Sequence, residues 1–145
     1  MEFSCSQSMK RCNHLQGEIE AAYHEAALKF GLADSMQFIL YTICYLGDNC
    51  PLGDIVKMTG VSKQTINSAL RNMEKQALVA LVSVTPKTKN VRLTDKGKAL
   101  AERTVIRLIR AEDEIFAEWS DDDVRRYLEL NERFLKDLKK KVTQL

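Results

Sequence analysis

Only two of the 145 residues are proline, Pro51 and Pro86, and only six are glycine. No proline-rich, Gly/Ser-rich or low-complexity stretch separates one part of the chain from another, which argues against independent domains on a linker and leaves room for long helices. Cysteine is sparse too. Cys5, Cys12, Cys44 and Cys50 have no C-x-x-C spacing, so free thiols are expected rather than a disulfide framework. Cys12 and His14 lie two apart, which on a helix points them in different directions and makes them a poor chelating pair. No metal or other cofactor is expected. The two histidines, His14 and His24, fall in one helical stretch without an acid, base and nucleophile constellation, and no glycine-rich phosphate loop appears. The chain is therefore not expected to be an enzyme. No apolar run approaches the roughly 18 residues that span a bilayer, and the N-terminus lacks a basic region followed by an apolar signal core. A cytoplasmic protein without a membrane partner is expected.

What is present is an apolar fraction of 45%, enough for one full core at this length. Met9, Cys12, Leu15, Ile19, Ala22, Tyr23, Ala26 and Phe30 recur at three- and four-residue steps, predicting an amphipathic first helix that Gly31 stops. Asp34 or Ser35 can cap a second helix. Its Met36, Phe38, Ile39, Leu40, Ile43, Cys44 and Leu46 leave few polar faces, so it should be buried and end near Gly47-Asp48-Asn49. Tyr23, Tyr41 and Tyr45 read as packing residues. Leu52, Ile55, Val56 and Met58 give one apolar face to a short third helix, and Gly60 suits a left-handed turn. Val61 should enter the core, and Ser62 caps the helix that follows.

Along that fourth helix Ile66, Ala69, Leu70 and Met73 face inward, leaving Lys63, Gln64, Asn67, Ser68, Arg71 and Lys75 outward. Leu78 to Val84 reads as a strand, Thr85-Pro86-Lys87-Thr88-Lys89 as a turn, and Val91 and Leu93 as the returning strand. Thr94 can cap a long helix from Asp95 to about Glu118. Ser120 followed by Asp121-Asp122-Asp123 resembles a capped start to a last helix, an acidic run that needs no metal to explain it. That helix lines up Val124, Tyr127, Leu128, Phe134, Leu135, Leu138 and Val142 on one side.

Charge is distributed unevenly. Residues 51–98 hold nine basic residues against Asp54, Glu74 and Asp95, a net of +6, while the remaining residues hold 13 basic and 17 acidic ones, a net of −4. A basic middle between acidic flanks is the footprint of a duplex-binding module. A helix, a tight turn, a polar-faced second helix and a lysine-tipped hairpin read together as a winged helix-turn-helix. In that motif the second helix enters the major groove, where Gln64 and Asn67 suit adenine and Arg71 suits guanine or a phosphate. Lys87 and Lys89 would reach phosphates or the minor groove.

Ser35-Met36-Gln37 opening the second helix, Gly60-Val61-Ser62-Lys63-Gln64-Thr65-Ile66, the Leu78-Val79 start of the wing, and Leu93-Thr94-Asp95-Lys96-Gly97 resemble the MarR family of bacterial transcription regulators over nearly the whole chain. The resemblance implies a mainly α fold with a small β-hairpin wing (α+β). Residues 1–145 would form a single domain, with a winged DNA-binding lobe at 33–98 and dimerisation helices at 8–30 and 99–145. It further implies a homodimeric repressor of a pseudo-palindromic duplex site, released by a small-molecule effector or by thiol oxidation. The recognition helix maps onto Ser62 to Lys75 and the wing onto Ser83 to Arg92. The candidate DNA-contacting residues are thus Ser62, Lys63, Gln64, Thr65, Asn67, Ser68, Arg71, Lys87, Lys89 and Arg92.

This chain departs from the family at the wing. Lys87-Thr88-Lys89-Asn90 stands where an Asp followed closely by Arg is common, and Leu81 and Val82 stand where an arginine is usual. Lysine lacks the planar fork that suits a narrow groove, so minor-groove selectivity should be weaker. Tyr23, Phe38, Tyr41 and Tyr45 are the candidates for an effector pocket, with a core role as the alternative for each. Cys12, beside Lys10 and Arg11, is the candidate thiol sensor. A winged-helix scaffold that binds protein through its apolar terminal helices is the other alternative.

Overall fold

The structure, a computed structural model, describes residues 4–145. Its elements run α1 (Gln7–Phe30), α2 (Asp34–Leu46), β1 (Cys50–Pro51), α3 (Leu52–Thr59), α4 (Lys63–Lys75), β2 (Val79–Thr85), β3 (Thr88–Leu93), α5 (Asp95–Arg103), α6 (Val105–Glu118) and α7 (Asp121–Val142). The fold is mainly helical with one small antiparallel sheet, strand order β1-β3-β2. Contacts divide the chain into two units, the first ending at Leu108 and the second being Ile109–Leu145.

The first unit is built around α2. Ile39, Leu40 and Ile43 of that helix are fully buried against Ile55 of α3, Ile66, Leu70 and Met73 of α4, Val91 of β3 and Val105. The inward residues expected for α4 are the ones that pack there, with Ala69 and Val61 half-buried against the same cluster. Three expectations for α2 and α3 fail. Phe38 and Tyr45 of α2 are exposed, at 42% and 63%. They stand seven residues apart, two helical turns, and so lie on the same side of α2. Met58 of α3 is also exposed, at 52%. Neither Asp34 nor Ser35 caps α2: its N-cap is Ala33, without a side-chain bond, and Asp34 is the first helical residue.

The sheet holds a strand that no periodicity announces. Cys50 and Pro51 pair with Val91 and Asn90 of β3, and Asn90 Nδ2 donates to the Asn49 carbonyl at 3.3 Å. The predicted hairpin is present, with Val79 opposite Leu93 and Ser83 opposite Lys89. The long helix expected from Asp95 to Glu118 is interrupted at Thr104, whose φ of −128° and ψ of −96° end α5. Thr104 is buried, and its Oγ1 donates back to the Leu100 carbonyl at 2.6 Å. Such i−4 bonding lets a β-branched hydroxyl residue bend a helix in place of a straight ladder.

The second unit carries most of α6 and all of α7. Ser120 caps α7, its Oγ accepting from the Asp123 N–H at 3.1 Å as the Ser-Asp-Asp-Asp pattern predicts. Phe116, Trp119 and Tyr127 cluster across that turn with ring centroids 5.5 to 6.0 Å apart, Tyr127 meeting the other two edge to face and Phe116 tilted at 51° to Trp119. No residue of α7 is buried.

Candidate nucleic-acid interface

The recognition helix α4 is held at both ends. At its start, Gly60 adopts φ +62°, Ser62 Oγ accepts from the Thr65 N–H at 3.3 Å, and the two hydroxyls lie 2.9 Å apart. Ser62 and Thr65 therefore serve the helix cap, although both are exposed. At its end the chain turns through Ala77, at φ +57°, and is fastened to the start of α5. Thr94 Oγ1 donates to the Ala77 carbonyl at 2.6 Å and accepts from the Gly97 N–H at 3.0 Å. Lys96 Nζ reaches the Gln76 carbonyl at 2.8 Å. A Cβ on Gly97 would stand 2.0 Å from the Leu78 carbonyl oxygen, so only glycine lets α5 approach this closely. The Leu-Thr-Asp-Lys-Gly sequence thus clamps the recognition helix to the wing and to α5.

Between α4 and the hairpin lies a cleft of about 290 Å³. Lys63, Asn67 and Arg71 line one side of it and Lys87 and Lys89 the other, over a floor that includes Leu70 and Leu81. The hairpin turn is built by Thr85, whose Oγ1 accepts from the Thr88 N–H at 3.1 Å and from the Lys87 N–H at 3.3 Å. Among the described residues, the side chains of Lys63, Gln64, Asn67, Ser68, Arg71, Lys87, Lys89 and Arg92 make no hydrogen bond or ion pair within the fold. Gln64 and Ser68 are exposed on α4 outside the cleft. Arg92 is not brought there: it lies between buried Val91 and Leu93 on β3 and takes the opposite face of the sheet from them. Two other cations of the basic segment are spent on the fold, Lys96 as above and Lys98 on Asp48 at 3.3 Å. Leu52 and Pro86, which also line the cleft, carry no polar signal by which sequence reading could have found them.

Asp48 fastens the other edge of the sheet, its Oδ1 accepting from the Leu93 N–H at 3.1 Å and the Asn49 N–H at 3.0 Å. Burial alone would raise its pKa, but the Leu93 bond, Lys98 and the Asn49 bond together hold it below the ordinary value.

The effector candidates separate. A cavity of about 770 Å³ between α1 and α2 is lined by Tyr23 and Phe38, while Tyr41 and Tyr45 do not line it. Gln37, a lone amide in the apolar stretch of α2, lines it too, although the sequence placed it only in the motif that opens α2 and not in a pocket. Cys12 is half-buried on α1, and Arg11 lies 4.0 Å from Glu18. Burial, then the charges of Glu102 and Asp48, push the Cys44 thiol up to about 11, and burial raises Cys50. Neither offers a ready thiolate.

A three-stranded wing against a capped recognition helix, with unpaired cations between them, defines a winged helix-turn-helix protein. The sequence model of the MarR family matches residues 38–86, about a third of the chain. NMB1585, a MarR family regulator from Neisseria meningitidis, superposes with a TM-score of 0.83 at 17% identity, covering 96% of this chain and 99% of that one. The MepR–DNA complex of S. aureus gives 0.66 at 21% identity over 94% and 99%. BpsR of Bordetella bronchiseptica, whose DNA binding is regulated by 6-hydroxynicotinic acid, gives 0.63 at 20% identity over 86% and 98%. No curated protein matches the sequence. Residues 38–86 match the MarR-family model, and the chain as a whole shares its fold with these solved structures. Among the described residues no helix is long and apolar enough to cross a membrane.

Proposed function

We propose that this protein is a cytoplasmic, sequence-specific, duplex-DNA-binding regulator rather than an enzyme, acting as a homodimeric repressor that a small-molecule effector releases. The observation that carries the reading is the cleft between α4 and the wing, where Lys63, Asn67, Arg71, Lys87 and Lys89 converge without partners in the fold. An ordinary solvated helix face mixes acids with bases, whereas α4 carries no acid before Glu74. Arg71, Asn67 and Gln64 are assigned to base edges, and Lys87 and Lys89 to phosphates. The S. aureus MepR–DNA complex supports the DNA reading, and the regulation of BpsR by a small acid supports the effector reading.

The homodimer is supported by apolar surface that the chain does not cover. Of the 24 residues of α1 only Ala27 is buried, and Leu15 and Ile19 lie open. Tyr127, Leu128, Phe134, Leu135, Leu138 and Val142 of α7 are likewise exposed. Patches of this extent mark an association surface, and a two-fold copy would pair two recognition helices with a palindromic site. Titration of duplex DNA at increasing salt tests the reading. A log-log slope of several units is expected from the clustered lysines and arginine. A folded protein with no duplex affinity at low salt would reject it.

A further inference from the structure

The outer edge of the wing is open. In the order β1-β3-β2, β2 is an edge strand of seven residues. The Thr94 N–H donates to the Leu78 carbonyl at 3.0 Å, so bonding alternates along β2 from that pair. Ala80 opposite Arg92 and Val82 opposite Asn90 then bond to β3, whereas the backbone N–H and C=O groups of Leu81 and Ser83 point away from it. The far side of β3 agrees, since Val91 is paired with Cys50 of β1 and the Leu93 N–H goes to Asp48. Among the described residues, no hydrogen bond outside the sheet ladder reaches Leu81 or Ser83.

Edge strands are ordinarily blunted by a charge, a proline or a covering segment. Here residues 76–86 hold no charged side chain, and Pro86 lies past the end of the strand, in the turn. Val82 and Val84 stand exposed on it, at 39% and 60%. The one irregularity of the ladder falls between Ser83 and Thr85 and leaves residues 79–83 regular.

We propose that this edge pairs with the same strand of a second copy, joining the wings of two neighbouring dimers on one duplex. In the antiparallel register centred on Val82, Leu81 of each copy faces Ser83 of the other. Each of those two pairs exchanges both N–H···O=C bonds, and Val82 meets its own counterpart between them. A second copy is favoured over a foreign strand for two reasons. Identical strands without charge meet without repulsion, and their antiparallel pairing needs a two-fold axis, which is the symmetry relating dimers on successive palindromic sites. Lys87 and Lys89, in and just past the turn that β2 runs into, line the DNA cleft, so the edge is carried beside the duplex. One strand edge offers less than the roughly 1,000 Å² of a stable interface, so the contact is weak until a duplex holds two dimers side by side at high effective concentration. This role on DNA rests on the DNA-binding reading above, whereas the pairing of edges does not.

Two measurements test the proposal. Without DNA and at high protein concentration, Val82→Cys oxidised by copper–phenanthroline should give disulfide-linked pairs of chains. Arg92→Cys, exposed on the central strand, should not, and the native thiols are common to both proteins. On duplexes carrying one or two copies of the sequence enriched from randomised DNA, at successive spacings, the second dimer should bind about tenfold tighter than the first at one spacing. That ratio, read within each variant, should fall to about one in Ser83→Pro, which removes an outward N–H, and in Val82→Lys, which sets like charges opposite each other. Equal linking of Val82→Cys and Arg92→Cys, independent filling at every spacing, or a ratio unchanged in both variants would overturn the proposal. If no duplex binds, the regulator reading fails and the crosslink alone decides for or against the edge.

Discussion

Single residues carry the precision of the recognition unit. At Gly97 the approach of α5 to the Leu78 carbonyl leaves no room for a methyl group, and backbone is what it would meet. Gly97→Ala should therefore destabilise the protein by about 3 kcal/mol in urea unfolding, the upper part of the usual overpacking range; a change near zero would refute the close contact. Asp48 gives a pH signature. Its folded-state pKa is depressed below the ordinary 3.8, so its contribution is present above that pH and is lost as the pH falls through the folded value. Asp48→Asn should flatten the fall in stability below about pH 4, read by thermal melts across acid pH. Within the cleft, Arg71→Ala should cost about 1–3 kcal/mol of duplex binding, whereas Lys89→Ala should weaken all duplexes alike and lower the salt slope by about one. An unchanged slope would remove Lys89 from the interface.

The elements were legible to different degrees, for reasons of local chemistry. Helix α4 is announced by Gly60 and Ser62 at its start and by the 3.6-residue spacing of Ile66, Leu70 and Met73, all local features that the fold leaves in force. The hairpin is announced by β-branched residues around Thr85-Pro86-Lys87. By contrast β1 is two residues long, too short for any period, and exists only because the edge of β3 offers it a partner. The break at Thr104 is equally silent, since apolar spacing continues on both sides while the hydroxyl turns back to Leu100. Phe38 and Tyr45 misled because composition shows how apolar a helix is and not how many of its sides find cover. The site was half legible: polar residues of α4 could be read as a face, but the cleft joins that face to the wing through contacts distant in sequence. The clamp at the end of α4 is testable as an element. Thr94→Ala removes both the α5 cap and the bond to the Ala77 carbonyl, and should cost about 1–2 kcal/mol in denaturant unfolding. A neutral substitution would mean that α4 needs no such anchor.

For the whole molecule, the decisive quantity is the apolar surface left open on α1 and α7. Sedimentation is expected to give a dimer at micromolar concentration, and the double change Phe134→Glu with Leu138→Glu should weaken association by about 2 kcal/mol or more, since it places two charges on the exposed stripe of α7. Loss of dimer should carry loss of duplex affinity with it, because one recognition helix reads only half a site. A stable monomer that bound DNA with full affinity would contradict the two-fold account. The uneven charge of the chain agrees with this arrangement, the +6 segment holding the cleft and the acidic flanks the apolar helices. The central claim, that α4 and the wing read a duplex in a sequence-specific way, is tested most directly by selecting randomised DNA duplexes with the purified protein and with Arg71→Ala in parallel. The account predicts a pseudo-palindromic motif for the wild type that is lost or relaxed in the variant; no enriched motif from a folded dimer, or the same motif from both proteins, would contradict it.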